Sequence, residues 1–198
     1  MTAQRRIGAK DSATRSQLLD AAEQLMMEEG YAAVTSRRVG KQAGIAPQLV
    51  HYYFRTMDDL FLEVIRRRSE AGLVAFAALL EGDPSLRALW EFQAGQPGGQ
   101  LTIEFAALAR HRTAVRAEIA KYGDRFRQMH TAALARVLER HGSSPEVWPP
   151  EVLTLVMTGV VQLLAQEQAV GMDTGHEDTK AFVGQLISRL ERESSAVA

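Results

Sequence analysis

The chain has 198 residues, of which 46% are hydrophobic and 24% are charged, a balance typical of a soluble globular protein. It contains no cysteine, which excludes disulfides and thiolate metal sites, and it shows no uninterrupted apolar run long enough to span a membrane. We therefore expect a cytoplasmic protein without membrane association. The net charge of -1 hides an asymmetry, because residues 1–68 carry 11 Lys and Arg against 8 Asp and Glu. This basic segment is the better candidate for an anionic partner.

Apolar residues recur three and four positions apart along almost the whole chain, which predicts an all-α fold. The first predicted helix begins at Thr14 and ends at Gly30. Thr14 and Gln17 have the spacing of a capping box, in which each side chain accepts from a backbone N–H of the first turn. One stripe of this helix is apolar and predicts a buried face: Leu18, Leu19, Ala22, Leu25 and Met26.

Two short helices follow. Thr35 is a plausible N-cap of a helix that ends at Gly44, a residue that readily adopts the left-handed conformation. Pro47 suits the first position of the next helix, since proline has no N–H to leave unpaired there, and this helix is expected to reach about Phe54. The sequence thus predicts a helix, a tight turn and a second helix, the arrangement that places one helix in a DNA major groove.

The remaining pattern predicts six further helices, which brings the total to about nine. Their expected ranges are 57–80 after a cap at Thr56, 85–92, 101–111, 113–141, 150–170 and 177–193.

The helix that starts at Pro47 has two chemically different faces. Its predicted inner face is apolar or aromatic: Val50, Tyr53 and Phe54. Its predicted outer face has hydrogen-bonding groups and aromatic surface but no acid: Gln48, His51, Tyr52 and Arg55. Such side chains can contact base edges and phosphates, and Leu49 on the flank could touch a thymine methyl group.

An ordinary amphipathic helix with a solvated polar side is the competing interpretation, since short helical hairpins are common in all-α proteins. Arg37, Arg38 and Lys41 on the preceding helix favour DNA, although a solvated basic face explains them as well. The N-terminal arm carries further basic residues that could enter a minor groove: Arg5, Arg6 and Lys10.

The run TRSQLLDAAEQLMMEEGYAAVTSRRVGKQAGIAPQLVHYYFRTMDDLF resembles the N-terminal domain of the tetracycline-repressor (TetR) family of bacterial regulators. Matching features include Gly30-Tyr31, Thr35, Ala43-Gly44-Ile45 and Tyr53-Phe54. The resemblance implies a three-helix DNA-binding domain, assigned to residues 1–55, and a helical-bundle domain for effector binding and dimerisation, assigned to residues 56–198. It also implies a homodimer that represses transcription from a palindromic operator until a small molecule releases it.

Carried over by position, the resemblance implies phosphate contacts for Thr35 and Arg37. It places five residues on the recognition helix: Gln48, Leu49, His51, Tyr52 and Tyr53. The chain departs from the family pattern at three positions. His51 replaces a usual Tyr, Met57 replaces a frequent Lys that anchors a phosphate, and Gly40 replaces a usual Ala and is expected to loosen the second helix slightly.

The larger domain offers only weak candidates for an effector site: Phe76, Trp90, Phe105, Met129 and His130. Each is better explained as a plain core position. Glu104 and His111 share one helix and could meet a ligand, although surface exposure is the simpler interpretation. The five histidines show no metal-binding spacing, so we expect no metal and no cofactor.

The last two predicted helices, 150–170 and 177–193, carry broad apolar stripes. These stripes favour a homodimer interface, with burial inside the monomer as the alternative. The first stripe is Val152, Leu155, Val156, Gly159, Val160, Leu163 and Leu164, and the second is Phe182, Val183, Leu186, Ile187 and Leu190.

Two other functions stay open at this stage. One is a helical enzyme or carrier, disfavoured because the sequence shows no acid-base or metal constellation. The other is a DNA-binding regulator that answers to a protein partner instead of a small molecule.

Overall fold

The structure, a computed structural model, describes residues 13–95 and 99–193. Within these ranges the chain forms nine α-helices and one short 3-10 helix, with no strand, which confirms the predicted all-α fold. The basic arm with Arg5, Arg6 and Lys10 lies outside the described residues.

The helix bounds follow the predicted pattern closely. They are α1 Ala13–Glu29, α2 Ser36–Ala43, α3 Pro47–Tyr53, α4 Met57–Glu81, α5 Leu86–Ala94, α6 Gly99–Ala109, α7 Thr113–Arg140, α8 Pro150–Ala169 and α9 His176–Glu193, with the 3-10 helix Tyr31–Ala33 between α1 and α2. The predicted start of α1 was wrong by a residue, because the helix already includes Ala13. Thr14 therefore lies in the first turn and not at the cap. The cap of α4 is confirmed: Asp59 N donates to Thr56 Oγ1 over 3.1 Å, and Thr56 N donates to Asp59 Oδ2 over 3.0 Å.

The chain divides into two compact units. The first unit contains the described residues up to Ala71 together with Leu101–Lys121, and the second contains the rest of the described chain. This division follows spatial contacts, whereas the predicted boundary after residue 55 concerns function, so that boundary stays a prediction.

The first unit has a core built around the apolar stripe of α1. Leu18 and Met26 are wholly buried there, and Val39 of α2 and Val50 of α3 pack into the same cluster. Helices α6 and α7 complete this core with Leu101, Phe105, Leu108 and Val115. Because α2 and α3 share this core with the longer helix α1, the orientation of α3 within the unit is fixed.

Charged side chains join the helices of the first unit. Arg66 of α4 donates to Glu118 of α7 over 3.0 Å, and this hydrogen bond lowers the pKa of the Glu118 carboxyl. Arg67 of α4 contacts two acids of α1, Asp20 at 2.6 Å and Glu23 at 2.9 Å. Pairs of this kind contribute little individually, but several together restrain how α1, α4 and α7 pack.

The second unit has its own apolar core, in which Phe76 of α4, Leu89 of α5 and Leu134 of α7 are almost completely buried. Ile187 and Leu190 of α9 belong to the same cluster. In contrast, α8 contributes a single buried residue, Thr154. Among the described helices, α8 is long and apolar enough to cross a membrane, judged by length and composition alone. Only 6% of its most apolar 18-residue stretch is buried.

Candidate nucleic-acid interface

Helix α2 is fixed at both ends by the residues that the sequence pointed to. Thr35 is its N-cap and accepts a hydrogen bond from Arg38 N through its hydroxyl oxygen, which confirms the predicted cap. Gly44 adopts the left-handed conformation with φ 66°, and Ile45 N donates back to Gly40 O over 2.8 Å. These bonds close α2 with a Schellman motif and turn the chain sharply toward α3.

Gly40 is required by this turn, which the sequence comparison did not indicate. A Cβ atom at position 40 would lie 2.7 Å from the carbonyl oxygen of Ile45 and 3.1 Å from the Cα of Pro47. Both neighbours are backbone atoms and cannot move aside easily. Glycine here allows the α2–α3 turn to pack tightly, so the expectation that it merely loosens α2 is incomplete.

Helix α3 is held by its inner face. Val50 is wholly buried, Phe54 is 2% exposed, and Tyr53 packs half-buried against the first core. The guanidinium of Arg15 lies 5.3 Å from the centre of the Phe54 ring. The predicted inner face is confirmed, and it fixes which side of the helix points away from the unit.

The outer face of α3 is open to solvent in the monomer. Gln48 is exposed, Leu49 is 42% exposed, Tyr52 is 38% exposed, and His51 is partly exposed. Tyr52 packs edge-on against Tyr53, with ring centres 5.1 Å apart, which restrains its side chain. No residue of Pro47–Tyr53 is acidic, so this face presents donors, acceptors and aromatic surface without repelling a polyanion.

The sequence pattern predicted that Arg55 lies on the outer face of α3, and this prediction is wrong because the helix ends before Arg55. Helix α3 ends at Tyr53, and Phe54 turns into an extended conformation to bury its ring. Arg55 is exposed in the bend before α4, so the helical repeat does not govern its direction.

The basic residues of α2 differ in their contacts. Arg37 and Lys41 are exposed, whereas Arg38 forms an ion pair with Glu29 at the end of α1. The Thr35 oxygen already accepts from Arg38 N, which leaves its hydroxyl proton to donate elsewhere. Thr35, Arg37 and Lys41 are therefore better placed for phosphates than Arg38, whose charge is partly neutralised.

Glu104 has a role that the sequence did not reveal. Its carboxylate accepts a hydrogen bond from Tyr31 N over 2.7 Å, at the start of the 3-10 helix that links α1 to α2. Gly30 has φ 82°, and a Cβ there would lie 3.2 Å from the Glu104 carboxylate. Glu104 of α6 therefore positions the link between α1 and α2, while His111 is exposed as expected.

The structure separates the predicted effector residues. Phe76, Trp90, Met129 and His130 lie in the core of the second unit, whereas Phe105 belongs to the core of the first. His130 is wholly buried, and neither of its ring nitrogens has a hydrogen-bond partner in the described structure. Burial without a partner lowers the pKa of His130 to about 4, so its ring is neutral at physiological pH.

Gln93 was not identified from the sequence. Its side chain is 7% exposed, its Nε2 donates to Thr158 Oγ1 over 3.2 Å, and its Oε1 has no partner in the described residues. A lone glutamine in an apolar helix gives no periodic signal, so only the packing could reveal that it is buried.

A surface pocket of about 310 Å³ lies at the α8–α9 connection, away from the predicted effector residues. Its lining is mostly polar or charged: Gln168, Gly171, Met172, Asp173, His176, Glu177 and Lys180. Across the described residues, no group of three or more His, Asp or Glu is arranged to hold a metal ion.

The two candidate dimerisation helices differ in exposure. On α8 the apolar stripe is largely exposed: Val152 is 53%, Leu155 49%, Val156 56% and Leu163 53% exposed. On α9 most of the stripe packs against the second core. Among its five members Phe182 alone is exposed, with 65% of its surface accessible.

Comparison with known proteins supports the same interpretation of the N-terminal residues. Residues 18–64 match the family described as bacterial regulatory proteins, tetR family. A TetR transcription regulator from Haloarcula marismortui has a similar structure, with 18% identity, a TM-score of 0.71, and coverage of 90% of this chain and 96% of that one.

Two further solved structures share the fold. The fatty acid degradation regulator FadR from Bacillus halodurans has 16% identity and a TM-score of 0.66, with 94% and 96% of the two chains covered. The multidrug binding protein EbrR, complexed with imidazole, has 23% identity and a TM-score of 0.59, with 91% and 96% covered. Residues 18–64 therefore resemble the tetR family of bacterial regulatory proteins, and the described part of the chain has the all-helical fold of these solved structures.

Proposed function

We propose that this protein is a transcriptional repressor that binds a palindromic operator as a homodimer and releases it when a small molecule binds. The observation that carries the proposal is the outer face of α3. It is exposed, free of acids and rich in base-reading groups, while the opposite face is buried in the first core. A helix fixed in this way can be inserted into a major groove without rearranging the domain.

The contacts divide into two kinds. Gln48, Leu49 and Tyr52 are the proposed base readers, because their side chains are exposed on the outer face of α3. Phosphate contacts are proposed for the residues around them: Thr35, Arg37, Lys41, His51 and Arg55. Arg38 contributes less, since Glu29 shares its charge. Tyr53 supports Tyr52 by ring contact, and as a half-buried residue of α3 it is proposed to contact DNA at the border of the outer face.

The exposed stripe of α8 supports a homodimer. Valine and leucine side chains half exposed along three helical turns would cost solvation free energy in a monomer, and a second copy covers them symmetrically. Phe182 of α9 extends this surface. A dimer also presents two α3 helices, as a palindrome requires.

Ligand response is proposed to pass through α4. Residues 57–71 of this helix belong to the first unit and residues 72–81 to the second, so a ligand in the second unit can act on a helix that also anchors the first core. A ligand changes operator affinity only if it binds the released state more tightly than the bound state. The similar structure of a multidrug binding protein supports a response to small molecules.

Selection of bound sequences from random duplex DNA tests the proposal. We expect one palindromic consensus, bound with affinity that falls steeply as salt rises. Gln48→Ala and Tyr52→Ala are each expected to weaken binding to that consensus by about 5- to 100-fold and to relax base preference at defined positions. Gln128→Ala, an exposed glutamine of α7 in the second unit, is the matched control and is expected to leave affinity unchanged.

Failure to enrich any sequence at low salt would reject the assignment. Equal enrichment by the wild type and by both α3 variants would instead show that the chain binds DNA through another surface.

A further inference from the structure

The end of α1 and the start of α2 carry charges that pair with each other. Arg38 lies in the first turn of α2, and its guanidinium binds the carboxylate of Glu29, the last residue of α1. The other two cations of α2, Arg37 and Lys41, are exposed and have no ion pair within the described part of the chain. One of the three cations of α2 is therefore already bound to an acid of the same chain.

Neither charge suits its own helix. The C-terminal end of a helix carries a partial negative charge, which disfavours an acid there, and the N-terminal end carries a partial positive charge, which disfavours a cation. Glu29 is the last residue of α1, and Arg38 is the third residue of α2. Local helix electrostatics therefore favour neither residue at its position, and the pair needs another explanation.

Stability of the fold explains the pair no better. The side chain of Arg38 is 42% exposed and that of Glu29 is 45% exposed. Ion pairs this open to solvent contribute little to the free energy of unfolding, because water and salt screen the attraction between the two charges. An anion from outside the molecule can therefore displace Glu29 from Arg38 at small cost.

A DNA phosphate is such an anion. Carboxylates and phosphates both bind a guanidinium through charge-assisted hydrogen bonds to its N–H groups, so Glu29 occupies the group that a phosphate would use. Thr35 and Arg37, two of the proposed phosphate contacts, lie three positions and one position before Arg38 at the same end of α2. Glu29 thus holds Arg38 at the end of α2 where the DNA backbone is proposed to bind.

We propose that Glu29 competes with the DNA backbone for Arg38 and so limits the sequence-independent affinity of the protein for DNA. The inference rests on the proposed function, and it assigns a role in DNA recognition to an acid outside the proposed contact residues. Phosphate contacts carry no base information and strengthen binding to every sequence. Holding Arg38 back weakens binding to all sequences alike, so that less of the protein is retained on non-operator DNA.

Glu29→Gln tests the proposal, because glutamine keeps the shape of the side chain and removes its charge. Affinity for the selected operator and for a random duplex is measured by fluorescence anisotropy at several salt concentrations. We expect both affinities to rise by about 3- to 10-fold at low salt. The plot of log affinity against log salt should steepen by about one for each protomer that gains a phosphate contact.

Glu28→Gln is the matched control. It removes the same charge one residue earlier, from an exposed carboxylate that accepts a hydrogen bond from Gln24 of the same helix over 2.9 Å. We expect less than about a twofold change in affinity and an unchanged salt slope, because a charge without a phosphate-binding partner is screened by salt. Glu29→Gln is also combined with Arg38→Gln, where its gain should disappear because the cation that it frees is absent. Thermal unfolding of each variant confirms that it is folded.

Equal affinities and salt slopes for Glu29→Gln and Glu28→Gln would overturn the inference. A gain from Glu29→Gln that persists without Arg38 would overturn it as well, since the acid would then act by its charge alone.

Elution from heparin, a polyanion without bases, makes the test independent of the operator. A protein that enriches no DNA loses the proposed function, yet elution of Glu29→Gln at higher salt than Glu28→Gln would still support competition between Glu29 and an external anion for Arg38. A protein that binds its operator without any difference between the two variants keeps the proposed function and loses the inference.

Discussion

The first unit pairs several charged side chains across its helices, whereas the second keeps polar atoms unpaired inside and apolar side chains exposed outside. In the first, Arg66 and Arg67 bind acids of neighbouring helices, and Glu104 satisfies a backbone N–H. In the second, His130 and Gln93 keep unpaired atoms, and the stripe of α8 is half exposed. Apolar side chains left exposed within one chain are those for which we expect a partner from outside it, here a second copy.

The largest effect is expected from a charged substitution in the exposed apolar stripe of α8, which should weaken the dimer. Val156→Glu places a carboxylate in the proposed interface twice, once from each copy, so that two like charges are desolvated together. We expect the dimer dissociation constant to rise by at least about 100-fold, with operator affinity lost in parallel. Sedimentation over a range of concentrations measures it. Val74→Glu, on an α4 residue that is 68% exposed, is the matched control and should leave the dimer intact. An unchanged dimer in Val156→Glu would mean that α8 faces something else, a membrane surface included.

The buried histidine predicts how the second unit responds to acid. Its pKa is about 4 in the folded protein and about 6.5 when unfolded, so between these values the unfolded chain takes up a proton that the folded chain does not. The free energy of unfolding therefore falls as pH drops from about 6.5 to about 4, by about 3 kcal/mol from this residue. Urea unfolding of the wild type and of His130→Phe across this range measures the difference. Parallel pH curves for the two proteins would show that His130 is not buried as described.

Replacing a helical glycine by alanine usually stabilises a helix. At Gly40, beside the α2–α3 turn, we expect the same replacement to destabilise the first unit. Gly40→Ala gains up to about 1 kcal/mol in helix propensity but drives a methyl group against the Ile45 carbonyl and Pro47. Overpacking costs about 1–3 kcal/mol, so we expect net destabilisation of about 1 kcal/mol and weaker operator binding, because α3 is displaced. Gly123→Ala on α7, where a Cβ meets no neighbour within 4 Å, should stabilise the protein instead. Gly40→Ala at wild-type stability would mean that the turn has more room than described.

The smallest effect is expected from substitutions of Glu104, which should lower the free energy of unfolding only slightly. Glu104→Ala leaves the Tyr31 N–H without its acceptor and is expected to reduce the free energy of unfolding by about 1 kcal/mol. Glu104→Gln keeps a carbonyl acceptor and should cost less than half of that. Equilibrium denaturation distinguishes the two. Equal losses would indicate that the charge matters and not the hydrogen bond, because glutamine preserves the acceptor.

The sequence by itself determined the helices and the two faces of α3. Caps such as Thr35 and Thr56, the terminator Gly44 and the spacing of Val50 and Phe54 act within one or two turns, so local rules predict them well. The exposed outer face of α3 followed from the same spacing. Local pattern failed for Arg55, because α3 ends at Tyr53 and the chain continues through an extended Phe54 into a bend.

Only the tertiary structure decided which distant residues meet. Phe105 joined the first core and not the other aromatic candidates, Glu104 reached Tyr31 across 73 positions, and Gln93 proved to be buried. The apolar stripes of α8 and α9 look alike in sequence, yet one is exposed and the other packed. The reason is physical: periodicity shows that a face is apolar, whereas the neighbour that covers it depends on contacts between residues far apart in the chain.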